Sequence, residues 1–102
     1  MKVLMSACVV TVCAMTSLQA AASAAIAQAN GCLACHKEEG VLVGPSYKDI
    51  AAKYKGVGGA KAELVNKVRS GGAGNWGEVM MPPNPVISDA DLAAVIDWVL
   101  AH

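Results

Sequence analysis

Two cysteines three positions apart, followed at once by a histidine, are the residues of this chain best placed to do chemistry: Cys32-Leu33-Ala34-Cys35-His36. On a helical turn, side chains three apart share a face. Both sulfurs can therefore reach the two vinyl groups on one edge of a porphyrin, and the next residue can swing its imidazole over the iron. Cys-x-x-Cys-His reads as a c-type haem attachment site, with Cys32 and Cys35 forming thioethers and His36 binding the metal. Three other uses of the motif fit less well. A thioredoxin-like Cys-x-x-Cys belongs in a βαβ setting, which the pattern lacks. A zinc site needs about four ligands, and the second histidine is His102 at the chain end. A plain disulfide would leave His36 without a role.

An electron-carrying haem needs a sixth ligand, and Met80, Met81 and His102 are the candidates. Met81 precedes Pro82-Pro83, and consecutive prolines restrict the backbone dihedrals, which holds a thioether where it must point. His/Met ligation raises the reduction potential. Met80 is the near rival, and either methionine could instead be an adaptable core filler.

The elements that must position these groups read as helices joined by Gly/Pro-rich loops, with neither an alternating β-branched run nor an internal repeat. Residues 25–35 form an Ala-rich segment expected to be helical up to the cysteines. Ser46 with Asp49 makes a capping box for a helix to about Tyr54, broken by Gly56, Gly58 and Gly59. Ala60 to Ser70 carries Leu64, Val65 and Val68 at helical spacing, ended by Gly71-Gly72. Residues 71–87 look irregular. Ser88 with Asp91 opens a last helix whose apolar stripe is Leu92, Val95, Ile96 and Val99, with Asp97 facing away. The expected fold is all-α, about four short helices with one long functional loop.

The chain has 102 residues, 55% of them hydrophobic, but only four aromatics and no Phe. Lys2 is the lone charge before residue 37, and the mostly apolar run 3–15 leads to the small-residue stretch Ala20-Ala21-Ala22-Ser23-Ala24. This describes a secretory signal peptide; a spanning helix needs about 20 apolar residues. The expected cut follows Ala24, with cuts after Ala20 or Ala22 as alternatives, giving a leader 1–24 and a domain 25–102. Less those 24, the 102-residue chain keeps 78, with seven Lys/Arg, eight Asp/Glu and two cysteines. The near balance of charge points away from a nucleic-acid binder. A core of this size supplies only about 3–5 kcal/mol unaided, so the porphyrin is expected to stand in for the missing aromatic bulk.

Gly31-Cys32-Leu33-Ala34-Cys35-His36, then Val43-Gly44-Pro45-Ser46-Tyr47-Lys48-Asp49, then Trp76-Gly77, Met81-Pro82-Pro83-Asn84 and Trp98-Val99-Leu100 follow one another along the chain. In order and spacing they resemble the small bacterial class I cytochromes c, above all the short type that donates electrons to nitrite reductase. The resemblance spans residues 25–102. It implies that His36 is the proximal ligand and Met81 the distal one, and that the Pro45 carbonyl accepts a hydrogen bond from the His36 ring. It further implies that Asn84 sits near the Met81 sulfur, that the Trp76 indole N–H meets a haem propionate, and that Lys67 takes the place of a propionate-contacting Arg, with Arg69 as a substitute. Met80 stands where that family usually has Pro.

Two functions follow for comparison. One is a periplasmic one-electron carrier, expected as a monomer without stable membrane insertion, whose partners would be redox proteins such as nitrite reductase, a terminal oxidase, a cytochrome c peroxidase, a photosynthetic reaction centre or a membrane cytochrome complex. The other is a haem enzyme of peroxidase type, which needs an open iron position and a polar distal pocket. The Met81 loop and the lack of a distal His favour the carrier. Residues 25–70 carry seven positive and four negative charges, whereas 71–102 carry four negative and no positive ones, an asymmetry able to orient docking.

Overall fold

Ser46 and Ser88 each start a helix in the way their neighbours dictate. In the computed structural model, which describes residues 18–102, the Asp49 N–H donates to Ser46 Oγ (3.0 Å) and the Asp91 N–H to Ser88 Oγ (3.1 Å). Each bond satisfies an otherwise orphaned first-turn donor. Helix α1 covers residues 18–29 of the described chain, and Cys32–Ala34 form a single 3-10 turn. Helix α2 runs Tyr47–Tyr54, α3 Ala60–Ser70 and α4 Asp89–Leu100. Among the described residues there is no strand, only an isolated antiparallel bridge between Gly72 and Met81, and no helix long and apolar enough to cross a membrane.

The two serine caps, the 60–70 helix and the irregular 71–87 segment lie where the residues predict them, although at each cap only the serine hydroxyl half of the box forms. The segment before the cysteines differs. Instead of running helical to Cys35, α1 stops at residue 29, where the Asn30 side chain donates to the Ile26 carbonyl (2.9 Å) and Gly31 reverses the chain in a left-handed conformation (φ 77°). The motif therefore starts a turn of its own. Most of the expected leader, with Cys8 and Cys13, lies outside the described residues. Helix α1 itself continues through residues 20–24; residues 18–22 are exposed, whereas Ser23 is buried and its Oγ donates to the Ala94 carbonyl (3.5 Å).

Helix α4 packs against both α2 and α3. Leu92, Val95, Ile96 and Val99 of its inner face join Tyr47, Ile50, Tyr54 and Leu64, with Ala27 of α1, in one core. Asp97 faces outward and pairs with Lys61 (2.9 Å).

The end of α3 holds the irregular segment in place. Gly71 has φ 69°, and a Cβ there would overlap the Met81 carbonyl oxygen, so only glycine lets the two backbones meet. The Asn84 N–H then bonds the Val68 carbonyl (2.8 Å). Arg69 donates to the carbonyls of Asn84 and Ile87 and to Asp89 Oδ1 (2.6 Å), a charge-assisted clamp tying α3 to the start of α4.

Candidate functional site

A cavity of about 370 Å³ lies against the Cys32–Ala34 turn, α2, α3, α4 and the 72–84 loop. Ile50, Leu64, Val95, Ile96 and Val99 line its inner wall, so the apolar stripes of three helices face one chamber. Cys32, Cys35 and His36 line it from the motif. Cys32 opens the 3-10 turn and Cys35 caps it, its N–H bonding the Cys32 carbonyl (3.2 Å), so the turn presents both residues to the chamber. Both thiols are free and half-buried. Burial raises the Cys32 thiol above its ordinary value, the reverse of the activated thiolate of a redox dithiol.

The loop after the motif folds back to orient His36. The N–H groups of Val43 (3.2 Å) and Gly44 (2.8 Å) both donate to the Cys35 carbonyl, which brings Pro45 to the imidazole. His36 Nδ1 lies 2.7 Å from the Pro45 carbonyl oxygen. A carbonyl can only accept, so Nδ1 carries the proton and Nε2 keeps its lone pair, the arrangement a metal ligand requires. Gly44 is required by close approach: a Cβ there would lie 2.7 Å from His36 Cε1. Gly44→Ala is therefore expected to tilt the ring and lower the yield of haem-loaded protein several-fold, read from the absorbance ratio of haem to protein.

Tyr47 stacks on His36 with ring centroids 5.8 Å apart and is 2% exposed. Its hydroxyl is buried and has no partner within the described chain. In the haem-free chain burial, with the Cys32 and Glu38 charges beside it, pushes the phenol from 10.0 up to about 12. The neutral phenol is thus favoured by folding; its contribution is complete below pH 10 and is lost as pH rises through about 12. Tyr47→Phe should flatten the fall in melting temperature over that alkaline range, and an unchanged fall would contradict it. The ring also meets Trp98 (5.0 Å) and His102 (5.6 Å). His102, one of the three candidate sixth ligands, is exposed, packs on Trp98 (4.7 Å) with Nδ1 2.9 Å from the Trp98 carbonyl, and does not line the cavity.

The sulfur-bearing loop separates its two methionines. Met80 is 70% exposed. Met81 is half-buried and its backbone is fastened on both sides, N–H to the Gly72 carbonyl (2.9 Å) and carbonyl to the Gly72 N–H (3.0 Å). Both line the cavity, but Met81 is the one whose position the fold determines. Asn84 Oδ1 accepts from the N–H groups of Val86 (3.1 Å) and Ile87 (3.2 Å), which leaves the amide NH₂ as the free end of a cavity-lining side chain.

Trp76 and Lys67 also line the cavity. The Lys67 ammonium lies beside Gly72 and joins none of the ion pairs among the described residues. Arg69, the alternative cation, is committed to Asn84, Ile87 and Asp89; its sequence spacing placed it near the site, and the turn of α3 directs it elsewhere. Two features escaped the sequence reading. One is the aromatic packing of Tyr47 with His102, and the other is Lys53, whose ammonium sits 4.5 Å over the Trp76 ring. No periodic pattern marks either.

The donor set fits a haem. Two thiols sit beside an imidazole with a free Nε2, a methionine with a fastened backbone lines the same largely apolar chamber, and a cation with no ion pair among the described residues stands at its wall. A chamber of this kind takes a flat hydrophobic macrocycle tethered by its edge, the construction of an all-helical c-type haem protein. Residues 20–102 match the family Cytochrome c, and the chain belongs to that family. It is 48% identical over 91 residues to cytochrome c-551 of Allochromatium vinosum, covering 85% of this chain and 97% of that protein. It is 49% identical over 72 residues to cytochrome c-551 of Azotobacter vinelandii, covering 71% and 87%. The crystal structure of wild-type Nitrosomonas europaea cytochrome c552 superposes with a TM-score of 0.74 at 47% identity, over 76% of this chain and 96% of that one. The chain is thus a small class I bacterial cytochrome c, an electron-transfer protein rather than an enzyme, and the family's cofactor is one covalently attached c-type haem.

Proposed function

We propose that this chain is a periplasmic one-electron carrier whose haem is attached through Cys32 and Cys35 and ligated by His36 and Met81. The observation that carries the reading is the 2.7 Å contact from His36 Nδ1 to the Pro45 carbonyl, which leaves Nε2 as the ring's only lone pair, in the same cavity as Met81. When bound, the haem supplies an iron that changes charge by one without changing its ligands. Pro45 fixes the imidazole tautomer, and the Gly72–Met81 bridge fixes the backbone from which the Met81 thioether extends. The Asn84 amide is free to donate toward the Met81 sulfur, and Trp76 and Lys67 supply a donor and a positive charge for the propionates. Val41, Val43, Val79 and Met80 are exposed yet border the cavity, an apolar rim against which a redox protein such as nitrite reductase, a terminal oxidase, a cytochrome c peroxidase or a membrane cytochrome complex can dock.

Export with removal of the N-terminal leader completes the reading. The sequence expectation places the domain at 25–102. Packing favours the alternative cut after Ala22, because residues 18–22 are exposed and, among the described residues, Ser23 is the first to bury and bond to α4. Intact mass and visible spectrum of the exported protein test the whole proposal. The expected result is one haem on a chain starting at Ser23, low-spin in the oxidised state with the far-red Met-to-iron band. High-spin iron, or cyanide binding that does not displace Met81, would overturn the ligation.

A further inference from the structure

The 73–79 segment forms part of the cavity wall yet is weakly held by its own backbone. Gly72, Gly74 and Gly77 all have positive φ (135°, 109° and 114°), conformations that glycine adopts with little intrinsic preference. Within the segment the Gly74 N–H bonds the Gly77 carbonyl (2.8 Å). Among the described residues, a single hydrogen bond reaches the backbone of 73–79 from elsewhere in the fold, from Lys53 Nζ to the Asn75 carbonyl (2.9 Å). The same ammonium lies 4.5 Å from the centroid of Trp76, within the range of a cation–π contact. Lys53 stands on the last turn of α2, and the buried Ile50 and Tyr54 anchor that helix in the core.

We propose that Lys53 is a positioning residue of the haem site, pinning the Trp76 wall to α2 while holding a positive charge over the indole. This rests on the carrier reading above, because Trp76 acts on the haem only if the haem fills this cavity. Two effects follow and share one sign. A pinned indole keeps its N–H available to a propionate, which restrains that negative charge. A cation beside the site disfavours the oxidised state, which carries one more positive charge than the reduced state. Both raise the reduction potential, and because Lys53 is exposed the direct charge effect weakens as salt is added.

Redox titration of haem-loaded Lys53→Met, Lys53→Arg and Lys55→Met tests this, together with hydrogen exchange of the 73–79 amides. Lys55 is an exposed neighbour outside the cavity wall, so it reports the effect of losing a charge alone. Lys53→Met is expected to weaken reduction about threefold, equivalent to about 28 mV at 59 mV per decade, and to speed exchange in 73–79. Lys53→Arg, which keeps the charge and the ring contact, should restore both. Equal shifts in Lys53→Met and Lys55→Met, unaltered exchange in Lys53→Met, or failure of Lys53→Arg to restore, would each overturn the role of Lys53. Spectra of the same samples separate the two readings: a wild type without the far-red band overturns the ligation, whereas a wild type with the band and an unmoved Lys53→Met potential overturns the pin.

Discussion

Met81→Ala is expected to abolish the far-red band of the oxidised protein and to weaken reduction at least a hundredfold, about 120 mV at 59 mV per decade, because a neutral thioether favours the reduced iron. Met80→Ala is expected to do neither. The two residues are adjacent and chemically identical, so the contrast isolates placement. Met81 is paired to Gly72 through both its N–H and its carbonyl, next to a Gly71 that admits no Cβ and ahead of Pro82-Pro83. Met80 has none of these restraints and is 70% exposed. Potentiometry with the oxidised spectrum decides the matter, and equal effects of the two substitutions would refute the assignment of Met81.

Withholding the haem should unfold the protein. The residues lining the inner cavity wall, among them Ile50, Leu64, Val95, Ile96 and Val99, are the same residues that make the core. Without the haem, the apolar side chains around a chamber of about 370 Å³ face water instead of packed atoms and lose much of the burial that holds a domain together, against a whole stability of about 5–15 kcal/mol for a typical domain. A domain this small has about 3–5 kcal/mol from its core unaided, so the empty chamber cannot persist. The haem-free chain, or Cys32→Ser/Cys35→Ser prepared without haem, should lose most of its far-UV helical signal. A cooperative, well-folded haem-free chain would contradict this.

Much of this molecule is legible locally. Ser46 and Ser88 announce helix starts because a cap and the donor it satisfies are three residues apart, and Gly71 announces a stop because the left-handed residue lies at the stop itself. The Cys32–His36 motif is legible for the same reason: the two thiols and the imidazole lie within five residues, and no distant contact is needed to bring them together. The same local logic failed before the motif, where Gly31 in its left-handed conformation separates α1 from the turn instead of continuing it; the Asn30 side chain joins the Asn30 N–H on the Ile26 carbonyl at that end.

The residues alone therefore settle the helical class, the attachment motif and the pair of candidate methionines. They leave open which methionine the loop restrains, where Arg69 and Lys67 point, what covers Trp76, and what His102 touches. Each of those answers depends on a contact between residues far apart in the chain: Gly72 with Met81, Arg69 with Asp89, Lys53 with Trp76, Tyr47 with His102. Such pairs carry no spacing signature, because they meet only after α2, α3 and α4 have packed around a shared chamber.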